Sequence, residues 1–300
     1  MLSQLNTLPV QQNRRDRRFS RCGRAGWRAE VCDGPDMPVS PGEWLDWAVE
    51  GKLEIRETDK VLRKSSRSQV FIRQIKTDDG SCDVVIKRQL RSGILSAAKG
   101  LMRSGAKNNF RLGWQLLSKN IATAVPVAAL YRMSGPFVVE NILVTEYQAE
   151  SMDLHHYVLQ MDKLGSADAA VKHQLCRKTG KLLGGLHRAG FWHRDAKAGN
   201  FVVCPGENGV EVKLIDLDGI KRNWLDLRGV KMRGLYKLGS TLAGCGWLGA
   251  SDYLRGLTEY DKLVGLSRGQ RKRLFRNLFR KAVGLRLITT VRGLTNQRSA

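Results

Sequence analysis

Two short motifs in the second half of the chain contain residue types that could move a phosphoryl group. Residues 193–200 read His-Arg-Asp-Ala-Lys-Ala-Gly-Asn, and residues 215–219 read Ile-Asp-Leu-Asp-Gly. Phosphoryl transfer from a nucleotide needs a carboxylate to take the hydroxyl proton of the acceptor, and further oxygen ligands for the metal ions on the phosphates. The first motif offers an aspartate, a lysine and an asparagine, and the second offers another aspartate. Their order and spacing predict phosphoryl-transfer chemistry.

The sequence around these motifs predicts a loop followed by a β-hairpin. Apolar runs with β-branched residues at Phe201–Val203 and Val212–Ile215 flank Pro205–Gly209, a composition typical of two strands and a turn. Asp216 then lies at the end of the second strand. The protein-kinase signature H-R-D-x-x-x-x-N followed by D-F-G has this arrangement, although its second half is relaxed here. A solvated charged loop is the alternative interpretation.

Length and composition indicate a folded protein of one large domain or two lobes. The 300 residues are 42% hydrophobic, which is enough for a sizeable core. No apolar run approaches the roughly 18 residues of a membrane span. Residues 1–10 lack the features of a secretory signal, so we expect a cytoplasmic location. The six cysteines include no Cys-x-x-Cys pair, which argues against a zinc site and a disulfide framework.

The formal net charge of +23 is the second strong feature of the sequence. Such a field attracts polyanions, including nucleic acid, anionic lipid and phosphorylated glycans. The charge is unevenly distributed: residues 84–139 contain nine Lys or Arg and no acid, and eleven bases but no acid follow Asp261. A protein that is basic for no functional reason is the plainer interpretation.

Changes in composition along the chain predict three regions. Residues 1–40 carry seven arginines and little apolar periodicity, which indicates a flexible basic N-terminal arm. We expect the ordered domain to begin near Pro41, with an N-lobe over residues 41–148. A C-lobe with basic C-terminal helices would occupy residues 149–300.

Hydrophobic periodicity predicts a β-rich first lobe and a helical second lobe. The predicted strands and the helix between them are Lys60–Arg63, Val70–Ile75, Val84–Lys87, the helix Gly105–Ser118, Val125–Tyr131 and Phe137–Glu146. From Leu154 onward the pattern is mostly helical. The predicted fold class is α+β: a bilobal protein-kinase-like fold with a small antiparallel N-lobe and a larger helical C-lobe.

A basic amphipathic helix is predicted near the C-terminus, over Arg271–Leu287. Its apolar face consists of Leu274, Phe275, Leu278, Phe279 and Val283. Such a helix can lie on an anionic membrane surface. We favour the commoner interpretation, in which this stripe is a core face of the helical lobe.

The chain resembles the lipopolysaccharide kinase (Kdo/heptose kinase) family, protein-kinase-like enzymes that phosphorylate inner-core sugars of bacterial lipopolysaccharide. The resemblance covers about residues 50–280. It rests on the segments Val84-Val85-Ile86-Lys87, Arg111-Leu112-Gly113-Trp114, Asn120-Ile121-Ala122-Thr123-Ala124-Val125-Pro126, Leu186-His187-Arg188-Ala189-Gly190-Phe191-Trp192-His193-Arg194-Asp195 and Leu214-Ile215-Asp216-Leu217-Asp218.

The resemblance implies specific roles for the motif residues, with ATP and Mg²⁺ as cofactors. Asp195 would be the base that accepts the proton of the sugar hydroxyl, and Lys197 would neutralise charge on the moving γ-phosphoryl group. Asn200 and Asp216 would hold Mg²⁺ on the phosphates.

It also implies a nucleotide-binding set in the first lobe. Lys87 would contact the α- and β-phosphates, and an exposed strand-end lysine is the alternative. Glu146 and Gln148 fall where kinases place the hinge that binds adenine.

Two departures from the protein-kinase pattern stand out. No Gly-x-Gly-x-x-Gly precedes Lys87, and residues 63–68 read Arg-Lys-Ser-Ser-Arg-Ser instead. Protein kinases also pair the strand lysine with a helix glutamate, but residues 84–139 contain no acid. Either another group holds Lys87, with Asp216 as the natural candidate, or the site is degenerate and the protein is an inactive, nucleotide-binding or scaffold protein.

The leading hypothesis is an ATP- and Mg²⁺-dependent phosphotransferase acting on an alcohol group, a heptose or Kdo hydroxyl of the lipopolysaccharide inner core. Its partner would be an anionic glycolipid, with peripheral contact to the inner face of the cytoplasmic membrane. An atypical protein or small-molecule kinase is the second hypothesis, and Lys197 argues against the atypical protein kinases. A nucleic-acid-binding protein is the third, based on charge alone.

Overall fold

The computed structural model describes residues 18–33, 39–77, 80–90, 104–166, 168–207, 209–222, 228–243, 245–277 and 280. The chain divides into two compact units. The first comprises residues 1–118 and 124–149, and the second comprises residues 119–123 and 150–300.

In its described residues, the first unit consists of a seven-stranded antiparallel sheet and two helices. The strands in sheet order are β1 (Arg18–Arg24), β2 (Trp27–Asp33), β6 (Pro126–Ser134), β7 (Phe137–Glu146), β5 (Gly80–Leu90), β4 (Ser68–Thr77) and β3 (Lys60–Lys64). The helices are α1 (Pro41–Val49) and α2 (Gly105–Ser118). The predicted strands and the predicted helix over 105–118 are therefore confirmed.

Residues 18–33 correct the predicted N-terminal arm, because they form β1 and β2 within the sheet. Trp27, Ala29 and Val31 alternate along β2 and are all buried. Such a period-two pattern is typical of one face of a strand. The other face carries Arg28, Glu30 and Cys32, and its charged residues obscured the pattern in the sequence. Residues 1–17 and 34–38 lie outside the described residues, so the arm remains a prediction there.

The two faces of the sheet pack against different helices. Trp44 of α1 is fully buried in a core with Phe71 and Ile86. On the opposite face, Phe110 of α2 packs with Leu143, Ala129 and Cys32. Because side chains alternate along a strand, these two cores fix which face each residue of β5 points to.

A buried glutamate joins α2 to the sheet. Glu30 of β2 is 4% exposed and accepts two hydrogen bonds from Arg111 of α2, at 2.8 Å and 2.6 Å. The Lys107 ammonium lies 3.4 Å from the same carboxylate, and the Arg21 guanidinium lies 3.0 Å from it. Burial alone raises the pKa of Glu30, but the Arg111 hydrogen bonds and the Lys107 charge outweigh it and hold the pKa below its usual value.

The second unit is mainly helical. Its helices are α3 (Leu154–Lys163), α4 (Ala169–Arg188), α5 (Arg228–Leu242) and α6 (Ala250–Val264), followed by a helical segment over 268–277. Its short strands are β8 (Met152–Asp153), β9 (Phe191–His193), β10 (Phe201–Gly206), β11 (Gly209–Leu214) and β12 (Ile220–Arg222). The hairpin predicted after the first motif is confirmed as β10 and β11.

Close backbone packing fixes α4, the helix that leads into the first motif. A Cβ atom on Gly180 would lie 2.0 Å from the Gly256 carbonyl oxygen of α6, so only glycine fits there. One helical turn later, Gly184 approaches the Tyr260 backbone. His187 also hydrogen bonds through Nδ1 to the Tyr260 hydroxyl at 2.8 Å. The end of α4 is thus held firmly against α6.

Residues 119–123 belong to the second unit although they precede most of it in the chain. The Leu214 N–H donates to the Ala122 carbonyl at 2.9 Å, and the Thr123 hydroxyl donates to the Leu214 carbonyl at 2.7 Å. The segment therefore lies beside the end of β11 as a short parallel bridge.

The C-terminal amphipathic stripe is described only in part. Leu274 is 2% exposed, which is the burial expected of a core face. Leu278, Phe279 and Val283 lie outside the described residues. Within the described part of the chain, no helix has the length and apolar character that crossing a membrane requires.

We expect Glu30→Gln to lower the free energy of unfolding at pH 7 by roughly 1–3 kcal/mol, because an amide cannot neutralise the surrounding cations. The pKa of Glu30 is lowered in the folded state, so its contribution is present above the ordinary glutamate pKa of about 4.3 and is lost as the pH falls through the folded value. Urea unfolding at pH 7 and in steps below pH 4 measures this.

The exposed Glu57→Gln is the matched control and should leave unfolding unchanged at both ends of the pH range. A stability difference between parent and Glu30→Gln that stays constant on acidification would contradict the assigned role.

Candidate active site

The first motif forms a loop clamped at both ends by backbone hydrogen bonds. It leaves β9 at His193, passes through a 3₁₀ turn at Ala198–Asn200, and enters β10. The Arg194 N–H donates to the Gly219 carbonyl at 2.8 Å, and the Ile215 N–H donates to the Asn200 carbonyl at 2.9 Å. The two motifs of the sequence are therefore tied together directly.

His193 connects the two motif aspartates through its ring. Its Nδ1 accepts a hydrogen bond from the Asp195 N–H at 3.0 Å, so Nδ1 is the unprotonated nitrogen. The Nε2–H then donates to the Asp216 carbonyl at 3.2 Å. Burial lowers the pKa of His193, against the opposing effect of Asp216, which favours the neutral ring that this bridge requires.

Asp216 has a backbone conformation that most residues avoid. Its φ and ψ are 60° and 63°, in the left-handed region, and the residue is exposed at the end of β11. Such conformations cost on the order of 1–3 kcal/mol and cluster at functional sites, and aspartate tolerates them better than most side chains do. The turn holds the Asp216 carbonyl on the His193 ring, which leaves the carboxylate outside the bridge.

Asn200 and Lys197 both contact Asp195. The Asn200 Nδ2 donates to the Asp195 carbonyl at 2.6 Å, so the amide oxygen is the end of the side chain that remains for a ligand. The Lys197 Nζ lies 3.8 Å from the Asp195 Oδ2. All four motif residues of the prediction, Asp195, Lys197, Asn200 and Asp216, thus belong to one network within the second unit.

Sequence reasoning missed Lys237, whose ammonium contacts the Asp195 Oδ1. This contact holds the pKa of Asp195 below its usual range, with Lys197 acting in the same direction. The carboxylate is therefore ionised at neutral pH. Lys237 lies on α5, a helix that contains no recognisable motif, so the sequence did not indicate its role.

Thr241, one turn beyond Lys237, also holds the loop. Its hydroxyl oxygen accepts a hydrogen bond from the Ala198 N–H at 2.9 Å and donates to the Leu238 carbonyl. The Thr241 carbonyl lies 3.0 Å from Nδ1 of His155 on α3. The helical spacing of Lys237 and Thr241 could have suggested a shared face, but not what that face contacts.

Lys87 lies in the first unit, on β5. It pairs with Leu143 of β7, which packs against Phe110 of α2, so Lys87 is on the sheet face that α2 covers. Protein kinases pair their strand lysine with a helix glutamate. Helix α2 contains no acidic residue and presents Lys107 and Arg111 to Glu30. The predicted contact between Lys87 and Asp216 remains a prediction.

Glu146 and Gln148 lie at the end of β7 and just beyond it. Glu146 is 6% exposed and pairs with Val84 of β5. The intervening Tyr147 N–H donates to the Asp83 carbonyl at 3.1 Å, so this amide is committed within the unit. Their contact with adenine stays a prediction.

The donor set limits which metal the site could hold. Within the described residues, no cluster of three or more His, Cys, Asp or Glu side chains is arranged to hold a metal ion. An amide oxygen and one carboxylate, from Asn200 and Asp216, suit Mg²⁺, which binds few protein ligands and completes its shell with water and substrate phosphates.

Comparison with known proteins bears on this arrangement. The profile of the Lipopolysaccharide kinase (Kdo/WaaP) family matches residues 86–247, more than half of the chain. A structure of WaaP in complex with acyl carrier protein is similar to this chain, with 21% identity and a TM-score of 0.60, covering 82% of this chain and 97% of that one. This likeness confirms the predicted α+β protein-kinase-like fold.

A crystal structure of the BubR1 kinase domain matches with 16% identity and a TM-score of 0.41, covering 88% of this chain and 75% of that one. Among the curated proteins, none has a matching sequence.

We expect Gly219→Ala to disrupt the His193 bridge. A Cβ atom at Gly219 would lie 2.3 Å from the His193 Cε1, so the ring must move, at a cost of about 1–3 kcal/mol. Amide hydrogen exchange at Asp195, whose N–H donates to this ring, should become at least about tenfold faster. Gly199→Ala is the control in the same loop, since nothing lies within 4 Å of that Cβ. Equal exchange rates in both variants would refute the bridge.

Proposed function

Because the chain belongs to the lipopolysaccharide kinase (Kdo/WaaP) family, we propose that it transfers the γ-phosphoryl group of ATP to a hydroxyl of a lipopolysaccharide inner-core sugar, a heptose or Kdo. The observation that carries this proposal is the network in which His193 and Asn200 hold Asp195 and Asp216 together. In this network the ionised Asp195 carboxylate lies between Lys197 and Lys237.

Asp195 receives the proton of the sugar hydroxyl as the hydroxyl oxygen attacks the γ-phosphorus. Its lowered pKa keeps the carboxylate charged, and its position is fixed by the backbone contacts of the loop. Lys197 lies near the carboxylate without a close hydrogen bond, so its ammonium can reach the phosphoryl group and neutralise charge that develops there.

Asn200 and Asp216 hold Mg²⁺ through the amide oxygen and the carboxylate. When bound, Mg²⁺ neutralises phosphate charge and orients the γ-phosphoryl group. Lys87 binds the α- and β-phosphates, and Glu146 and Gln148 line the adenine position. Membership of a kinase family supports these nucleotide contacts.

The charge of the chain suits an anionic acceptor. A net charge of +23 favours encounter with phosphorylated glycolipid and with anionic lipid headgroups. We propose peripheral attachment at the inner face of the cytoplasmic membrane, where such an acceptor is presented to a cytoplasmic enzyme.

A nucleotide-binding protein without transferase activity is the second candidate, favoured by one observation. The helix over the Lys87 face carries cations where protein kinases have a glutamate. Incubation with Mg²⁺, labelled ATP and lipopolysaccharide core from a strain lacking this protein separates the two. Mass spectrometry should show one sugar gaining a phosphate, and binding of ATP without any such gain would favour the second candidate.

We expect Asp195→Ala to lower phosphate transfer by about 10²–10⁴-fold, because the attacking hydroxyl loses its base. ATP affinity and thermal unfolding should stay close to those of the parent. Glu207→Ala, in the exposed hairpin turn, removes one acid without touching the loop and serves as the control. Equal turnover of Asp195→Ala and the parent would overturn the mechanism.

We expect Asp216→Ala to abolish the Mg²⁺ dependence of ATP binding, since it removes the carboxylate ligand. Titration calorimetry with ATP in the presence of Mg²⁺ or of EDTA measures this. Asp195→Ala should retain the Mg²⁺ dependence, and a parental Mg²⁺ effect in Asp216→Ala would exclude it as a ligand.

A further inference from the structure

The two oxygens of Asp195 have different surroundings. Oδ1 is buried and is contacted by the Lys237 ammonium. Oδ2 lies 3.8 Å from the Lys197 Nζ, beyond hydrogen-bonding distance. The side chain as a whole is 37% exposed, so its accessible part is on the Oδ2 side.

This asymmetry matters because a general base must be held in one orientation. Proton transfer requires the accepting oxygen within about 2.6–3.2 Å of the hydroxyl oxygen, and an error of about 1 Å can cost on the order of 10²-fold in rate. An oxygen that is buried beneath an ammonium group cannot meet an incoming hydroxyl. It can, however, fix the orientation of the other oxygen.

The helix that carries Lys237 is fixed to the same loop on either side of that residue. Thr241, four residues later, accepts the Ala198 N–H, and Gly234, three residues earlier, packs against Ala196 and His187. Spacings of three and four residues lie on one face of a helix. Lys237 therefore approaches Asp195 from a rigid support, which a lysine on a surface loop would lack.

We propose that Lys237 is a positioning residue of the transfer site, which holds Asp195 through Oδ1 so that Oδ2 receives the proton of the acceptor hydroxyl. This inference rests on the proposed function. The hydroxyl O–H bond breaks and its proton passes to Oδ2. The hydroxyl oxygen bonds to the γ-phosphorus, and the bond from that phosphorus to the departing ADP oxygen breaks with its electron pair.

The two lysines thereby have separate tasks. Lys237 contacts the Asp195 carboxylate and holds its orientation. Lys197 stands further away and remains able to follow the phosphoryl group. A single lysine could not do both, because an ammonium bound to the base would have to leave it during the transfer.

Lys237→Met tests the proposal by removing the ammonium and keeping most of the side-chain stem. We expect kcat to fall about 10- to 100-fold while the KM for ATP stays within about twofold. Lys237→Arg, which retains the charge and can reach Oδ1, should recover activity to within about fivefold of the parent. Lys262→Met is the matched control: it removes one exposed lysine from α6 and should leave kcat unchanged.

A parental kcat in Lys237→Met, or a loss that Lys237→Arg does not reduce, would overturn the proposal. Crystal structures of the parent and Lys237→Met provide a readout that needs no acceptor. The Asp195 carboxylate should turn away from its parental orientation in the variant, and an unchanged carboxylate would also overturn the proposal.

The two levels of inference fail differently. If the parent transfers no phosphate to any core sugar, the proposed function fails, and the orientation of Asp195 in the crystals still decides the role of Lys237. If Lys237→Met does not fold, the Lys237→Arg crystal decides instead: a guanidinium on Oδ1 supports the proposal. A guanidinium turned away with full activity contradicts it.

Discussion

The geometry of the second unit depends on one imidazole ring. His193 accepts the Asp195 N–H and donates to the Asp216 carbonyl, so each motif keeps its position only while the other is in place. This interaction needs a neutral ring, and burial supplies it. It also needs a residue without a side chain at position 219, because a Cβ atom there would overlap the ring. A buried histidine thus determines the relative positions of the two motif aspartates.

In the first unit, an ion cluster attaches helix α2 to the sheet. Protein kinases neutralise their strand lysine with a helix carboxylate, whereas α2 brings Lys107 and Arg111 to a carboxylate on β2. In this ion cluster the helix supplies the cations and the strand supplies the carboxylate. The cluster fixes α2 on the sheet face opposite α1. The contacts that hold α2 on the sheet therefore do not depend on a carboxylate of the helix. The helix is anchored to the sheet although it carries no glutamate.

Apolar periodicity predicted those helices and strands whose pattern lies within one segment of the sequence. The hairpin Phe201–Leu214 and the helix Gly105–Ser118 appeared with nearly correct bounds because their apolar periodicities are uninterrupted. The strand Trp27–Asp33 was missed because its alternation sits among arginines. Lys237 and Glu30 were missed for another reason: their partners lie 42 and 81 residues away in sequence, where no spacing rule reaches. The left-handed turn at Asp216 was likewise invisible, since the sequence shows no glycine there.

The bridge between Thr123 and Leu214 has a consequence for how the molecule is made. The two residues are 91 positions apart in sequence. Residues 119–123 can therefore form this contact only after α3, α4 and β11 have been synthesised. A polypeptide that began at residue 150 would leave the Leu214 N–H without the Ala122 carbonyl that accepts it. The helical unit therefore includes residues 119–123, which precede the rest of it in the chain. Its completion is coupled to the translation of the chain before it.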